Sequence, residues 1–163
     1  MYLTRAKQKF TQLCQEHYGY VLEPCSQAEI KKYEEMLSCR FPSAYKEFLE
    51  WMGKDTGGFM CYYFFRLSGL SRNKEDALEI MQEDEYKEES PEDAIVFAWG
   101  SNAFDFFFIR ASEGDDPPIH HYWQEKGIRW NAFLNIEEFV IHYIDILVRN
   151  HMERKPLNKE LRD

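Results

Sequence analysis

The sequence predicts an α+β fold: N-terminal helices followed by an antiparallel sheet, an acidic helical insertion and a C-terminal helix packed on the sheet. Three observations predict it. Apolar residues recur at helical spacing through the N-terminal third and again near the C-terminus. Between them, short aromatic and aliphatic runs are separated by Gly, Asn and Pro turns, the pattern of hairpins. Helices and hairpins are also segregated along the chain, which favours α+β over a parallel α/β sheet.

The first helix is predicted from Leu3 to His17, where Leu3, Ala6, Phe10, Leu13 and Cys14 form an apolar stripe. Gly19 and Pro24 interrupt the chain before Ser26-Gln27-Ala28-Glu29, a capping box whose hydroxyl and carboxylate satisfy two orphan N–H groups of the next helix. Ile30, Tyr33, Met36 and Leu37 line that helix. Phe41-Pro42-Ser43 opens a third, because Pro is tolerated in a first turn. Its inward residues are Tyr45, Phe48, Leu49 and Met52, and Gly53 followed by Gly57-Gly58 ends it.

Phe59 to Leu67 reads as a strand, and Asn73 to Tyr86 returns to helical spacing through Ala77, Leu78 and Met81. Ala94 to Trp99 and Phe104 to Ile109 form a predicted hairpin around Gly100-Ser101-Asn102. After the turn at Gly114 to Pro118, Ile119 to Gln124 is a third strand of this group, and Gly127 turns the chain toward Ile128-Arg129-Trp130. Asn135-Ile136-Glu137-Glu138 carries a second capping signal and starts a long helix with Phe139, Val140, Tyr143, Ile144, Leu147 and Val148 inward. One domain is expected over residues 1–150, with a charged, frayed tail over 151–163.

With 163 residues, the chain suffices for a core without staples. No apolar run is long enough for a membrane span, and the N-terminal residues lack the pattern of a secretory signal. Cys14, Cys25, Cys39 and Cys61 are never spaced as C-x-x-C, so reduced thiols in a cytoplasmic protein are expected; Cys14, Cys39 and Cys61 read as small core residues. The net charge of −9 disfavours nucleic acid as a partner. Its distribution says more: Lys74 to Asp93 carries ten acids against two lysines, whereas the other 143 residues are nearly balanced.

Catalytic signatures are missing. Neither nucleotide-binding glycine loop occurs; in Gly53-Lys54-Asp55-Thr56-Gly57-Gly58 the lysine lies on the wrong side of the glycines, and the segment follows a helix where a phosphate loop precedes one. There is no G-x-S-x-G elbow. Among His17, His120, His121, His142 and His151 no i, i+4 pair exists, and adjacent His120 and His121 would point to opposite sheet faces. No metal, cofactor or catalytic residue is therefore expected, and a binding protein is favoured over a hydrolase built on paired carboxylates.

Two surface features stand out. The acidic segment is either a solvated helix face or a docking surface for a basic protein, since clustered charge speeds encounter and rejects wrong partners. The runs Tyr62 to Phe65 and Phe104 to Phe108 are either core or an exposed platform; with only Arg66 and Arg110 nearby they do not suit nucleic-acid stacking, while an apolar partner-binding groove stays open. The candidate partner-binding residues are Glu83, Asp84, Glu85, Glu88 and Glu89 of the acidic segment, Trp99, and the turn pair Asp115 and Asp116.

Three stretches carry a resemblance to a known family. These are Ser26 to Ile30 leading into Phe41-Pro42-Ser43-Ala44-Tyr45-Lys46-Glu47-Phe48-Leu49; the hairpin of Ala94 to Ile109 around Trp99-Gly100-Ser101-Asn102; and Ile119 to Trp123 followed by Asn135-Ile136-Glu137-Glu138-Phe139. In this order they resemble the SUKH superfamily, specifically its Smi/Knr-like branch of cell-wall assembly regulators, over about residues 26–145. The chain departs from the pattern at Asn102-Ala103-Phe104 and in its acidic insertion. The resemblance implies an α+β fold and a non-catalytic role: in bacteria an immunity protein that neutralises a toxin, or alternatively a regulatory scaffold with an endogenous partner; the acidic segment makes a basic toxin domain the expected partner.

Overall fold

The computed structural model describes residues 1–15, 18–84, 91–101 and 104–154. Helix α1 spans Thr4–Phe10 and runs into a π-helical turn over Thr11–Gln15. Ala6, Phe10 and Cys14 are all buried, so the expected stripe persists through the change of helix type; His17, the expected end, lies outside the described residues. Leu3 at the N-cap offers no side-chain acceptor. Carboxylates from distant elements take over that role: Glu47 accepts the Leu3 N–H at 3.4 Å and, just before the helix, the Tyr2 N–H at 2.6 Å, and Glu137 accepts the N–H groups of Arg5 and Ala6 at 2.7 and 3.3 Å.

Helix α2 covers Gln27–Met36 and carries the expected capping box, with Glu29 accepting the Ser26 N–H at 2.8 Å while Ser26 Oγ accepts the Glu29 N–H. Helix α3 covers Ser43–Met52 and buries Ala44, Tyr45, Phe48, Leu49 and Met52. At Gly57, with φ +61°, an added Cβ would lie 2.3 Å from the Val21 carbonyl oxygen, so glycine is required where this turn meets the incoming chain.

The strand expected over Phe59 to Leu67 shrinks to β1, Tyr63–Phe64. Turns continue from Gly57 through Tyr62, Met60 has φ +55°, and Phe59, Phe65 and Leu67 fold into the core instead of alternating along a sheet. A 3₁₀ turn at Leu67–Gly69 leads into α4, Leu70–Glu83, which begins three residues before the predicted start. The remaining strands are β2 (Ala94–Gly100), β3 (Asp105–Arg110), β4 (Ile119–Trp123) and β5 (Gly127–Phe133), the last extending well beyond the expected turn. They form an antiparallel meander in the order β1-β2-β3-β4-β5. Helix α5 closes the fold over Ile136–Arg154; Asn135 Oδ1 accepts the Glu138 N–H at 3.0 Å, as the capping signal implies.

Both sheet faces are buried. On the first, Ile95, Phe97, Ala98, Phe107, Ile109 and Ile119 pack with α1, α2, α3 and α5. On the second, Val96, Phe106, Phe108, Tyr122 and Ile128 meet Ala77 and Met81 of α4. A register shift between Val96 and Ala98 turns both Phe97 and Ala98 to the first face. Double coverage explains why β2 and β3 are apolar without alternation. The expected C-terminal helix on the sheet is refined: α5 packs against α1 and reaches the sheet through Phe139, whose ring lies 5.6 Å from Phe97 and 5.0 Å from Phe107.

Candidate partner-binding surface

Helix α4 crosses the second face. Its N-terminal part is fixed by Asn73, which donates to the Val96 carbonyl at 3.3 Å, and its C-terminal end by Asp84, which accepts the Tyr122 hydroxyl at 2.5 Å and the Glu125 N–H at 2.8 Å. Ala77, Ile80 and Met81 face the sheet. Helical spacing puts Asp76 and Glu83 on the flank shared with Ile80, while Glu75, Leu78, Glu79 and Gln82 are exposed.

Beside this helix runs an aromatic ladder. Trp99 stacks on Phe106 (centroids 5.3 Å, interplanar angle 11°), and Phe106 stacks on Tyr122 (4.9 Å, 21°). Phe64 sits directly opposite Trp99 in the β1–β2 register, on the same face, because Tyr63 points the other way to Phe107 and Tyr143. The Tyr62 carbonyl accepts the Ser101 N–H at 2.8 Å, which keeps Tyr62 next to the end of β2. Tyr62 and Phe64 are 65% and 58% exposed, so the aromatic run divides: Phe106, Phe107 and Phe108 are core, whereas Tyr62 lies at the surface beside Tyr143, Ile146 and Leu147 of α5 and Phe64 at the surface beside Lys54, Asp55 and Arg66.

The sequence-predicted residues separate into two groups. Glu83 is exposed at the end of α4; Asp84 is engaged by Tyr122 and Glu125; Trp99 belongs to the ladder on the same face. Glu85, Glu88 and Glu89 lie outside the described residues. Asp115 and Asp116 lie in the β3–β4 loop, at the opposite end of the strands from Trp99. Asp115 accepts the Ser43 hydroxyl at 2.7 Å, which lowers its pKa, and its carbonyl accepts the Ala44 N–H at 2.8 Å. Asp116 accepts from Asn135 at 3.0 Å, while burial raises its pKa. The aromatic run carried an exposed alternative in the sequence, but only the register shows that Phe64 shares the face of Trp99.

Near Asp115 lies a cleft of about 560 Å³ between the α2–α3 connection, α4 and the start of β2, with Phe41, Leu70, Ile95 and Val96 in its lining. Its rim charges are engaged within the chain. Lys74 donates to the Glu92 carbonyl at 2.6 Å, and Arg40 lies 3.8 Å from Asp115. Burial pushes the Asp93 carboxyl up, but bonds from Ser112 and Arg110 outweigh it and hold the group at about 2.

The two adjacent histidines do occupy opposite faces. His120 Nδ1 accepts the Asn131 N–H at 3.1 Å, so Nε2 carries the proton and donates to Glu113 at 2.9 Å. His121 stacks on Phe107 at 4.1 Å and meets Asp105 at 3.0 Å; Tyr63 also donates to Asp105 at 3.1 Å. Burial lowers the His121 pKa, with Asp105 opposing. Cys14 and Cys25 are buried, with burial pushing both thiols up to about 11, and Cys39 is half-buried. Cys61 corrects its expected place in the core: it is exposed, because turn geometry replaces the strand there. Among the described residues no group of three or more His, Cys, Asp or Glu is arranged to hold a metal ion, and no helix is long and apolar enough to cross a membrane.

Helices on both sides of a five-stranded antiparallel meander, with a helical insertion between β1 and β2, define the class as α+β. The chain belongs to the SMI1 / KNR4 family (SUKH-1), whose sequence pattern matches residues 24–141. That span begins after α1 and ends within α5. Members of the family are commonly immunity proteins of polymorphic toxin systems and are generally non-catalytic. No curated protein matches the chain.

Proposed function

We propose that this chain is a cytoplasmic immunity protein that binds a cognate toxin domain of basic charge and neutralises it by occlusion, without catalysis. Family membership supports the role, and one observation supports a basic partner: the exposed acidic side of α4, with Glu75, Glu79 and Glu83, in a segment holding nearly all the net charge. Glu85, Glu88 and Glu89 follow in sequence and add to that charge. Asp115 and Asp116 would form a second, more distant contact. The binding unit would be residues 1–150, with 151–163 as a charged appendage.

Acidic clustering acts mainly on encounter, because long-range attraction raises the association rate before close contacts form. The test is co-expression with the C-terminal domain of a large secreted protein encoded beside this gene. Abolished toxicity together with a one-to-one complex is the expected result; unchanged toxicity with no complex would refute the reading. In the same complex, E79Q/E83Q should lower the association rate several-fold and flatten its salt dependence, with little change in dissociation.

A further inference from the structure

We propose that the cleft beside the start of β2 receives an extended segment of the toxin domain, which adds to the unpaired edge of that strand; this inference rests on the immunity reading and specifies where the partner is gripped. Strand pairing leaves the opening. β1 covers β2 only at Trp99 and Gly100, so residues 94–98 have a neighbouring strand on the β3 side alone. The bonds around them fix which way their main-chain groups point. The Ala111 N–H donates to the Asp93 carbonyl, so Asp93 and, two residues on, Ile95 turn toward β3, and Ala94 and Val96 turn outward. From that outer side Asn73 donates to the Val96 carbonyl at 3.3 Å, and the Ala94 N–H reaches back to the Pro91 carbonyl at 3.0 Å.

Two outward groups are left over. The Val96 N–H and the Ala94 carbonyl, one on each side of Ile95, have no hydrogen-bond partner among the described residues. Ala94 and Val96 are nevertheless 4% and 2% exposed, and a buried main-chain donor without an acceptor is rare and costly. Both residues line the cleft of about 560 Å³. A donor and an acceptor flanking one residue are what an edge strand offers to an added strand. The walls suit the same occupant: Leu37 and Phe41 of the α2–α3 connection and Leu70 of α4 are apolar, as the side chains of a short inserted strand require. Charge does not compete for it, since Lys74 is bonded to the Glu92 carbonyl, Asp93 to Arg110 and Ser112, and Arg40 lies beside Asp115. The unsatisfied groups of the cleft are thus main-chain groups, and main chain is what complements them. Lys74 in the lining is next to Glu75, so a basic domain seated on the acidic side of α4 lies beside this edge.

Amide exchange followed by NMR, on the chain alone and bound to the toxin domain encoded beside it, tests the proposal. The Val96 amide should exchange faster than that of Ile95 in the free chain and slow by tenfold or more in the complex, whereas Ile95, already bonded within the sheet, should be slow in both. A complex that leaves Val96 exchange unchanged would overturn strand addition while the immunity reading stands. Val96 protected as well as Ile95 in the free chain would also overturn it, because the edge would then be covered by the chain itself or by a second copy. No complex with the wild-type chain would end both readings. Val96→Pro gives an independent check, since proline at an outward-facing edge position removes the donor without breaking a ladder bond. It should weaken toxin binding about tenfold; a folded Val96→Pro chain binding like wild type would refute the site, and if that variant does not fold, the wild-type exchange decides.

Discussion

Glu137 binds Arg5 twice across the chain: one carboxylate oxygen accepts the Arg5 backbone N–H at 2.7 Å, and the other accepts its side-chain Nε–H at 2.8 Å. The N-terminal end of α1 is thereby capped from α5, and Glu138 adds a further bond to the Arg5 guanidinium. This explains why α5 packs beside α1. It also gives an acidic residue in the first turn of one helix a second use at the positive end of another.

Glu137→Ala should therefore destabilise the protein by roughly 2–3 kcal/mol, since it removes a buried charged acceptor from several N–H groups at once. Glu138→Ala, more exposed, should cost under about 1 kcal/mol. Urea unfolding midpoints compare the two; equal losses would show that Glu137 is not a cap.

Asp84 and Glu83 are neighbours with different work. Asp84→Ala releases the Tyr122 hydroxyl and the Glu125 N–H, and should cost roughly 1–3 kcal/mol. Glu83→Gln should leave the melting temperature within experimental scatter and act only on association with a basic partner. A destabilised Glu83→Gln would place Glu83 among the structural contacts.

Tyr45 is fully buried, and its hydroxyl lacks a hydrogen-bond partner among the described residues. Burial raises its pKa far above the ordinary phenol value. Removing an unsatisfied polar atom while keeping the ring should be neutral or stabilising, so Tyr45→Phe is expected to gain up to about 1 kcal/mol by thermal unfolding. A clear loss would reveal a water bonded to the hydroxyl.

His121 gives stability a pH dependence of known sign. Burial lowers its native pKa below the ordinary 6.5, against Asp105 and with Arg129 contributing to the lowering. As pH falls through about 6.5, the unfolded chain binds a proton that the native chain resists, and stability declines until the native pKa is reached. Asp93, held at about 2, acts lower down: its contribution is complete above the ordinary carboxyl value of 3.8 and is lost as pH falls toward 2. Urea titrations at stepped pH should show the upper slope reduced in His121→Asn and retained in wild type.

Thiol reactivity should follow exposure. Cys61 should react with an aromatic disulfide reagent within the dead time of mixing, Cys39 more slowly, and Cys14 and Cys25 only on unfolding, as their thiols are both covered and held protonated. Mass spectrometry of the labelled native protein identifies the order. Rapid labelling of Cys14 would contradict the packing of α1.

Local signals were legible in the sequence, because the groups that satisfy one another lie three or four residues apart. The Ser26–Glu29 box, the stripe of α3, the stop at Gly53 and the Asn135 cap are of this kind, and each appears where it was expected. The segregation that predicted α+β is equally local in origin. The acidity of the 74–93 segment needed no structure at all.

Tertiary structure decided what depends on distant partners. An aromatic run does not state which of its rings are covered; Phe64 became surface because β1 is an edge strand only two residues long, Tyr62 because it lies in the turn before it, and Phe106 became core because α4 lies across it. Trp99 and Glu83 were drawn to one face, while Asp115 was spent on the start of α3. The capping of α1 by Glu47 and Glu137 was beyond any local pattern, since orphan N–H groups require an acceptor nearby in space and accept one from anywhere in the chain.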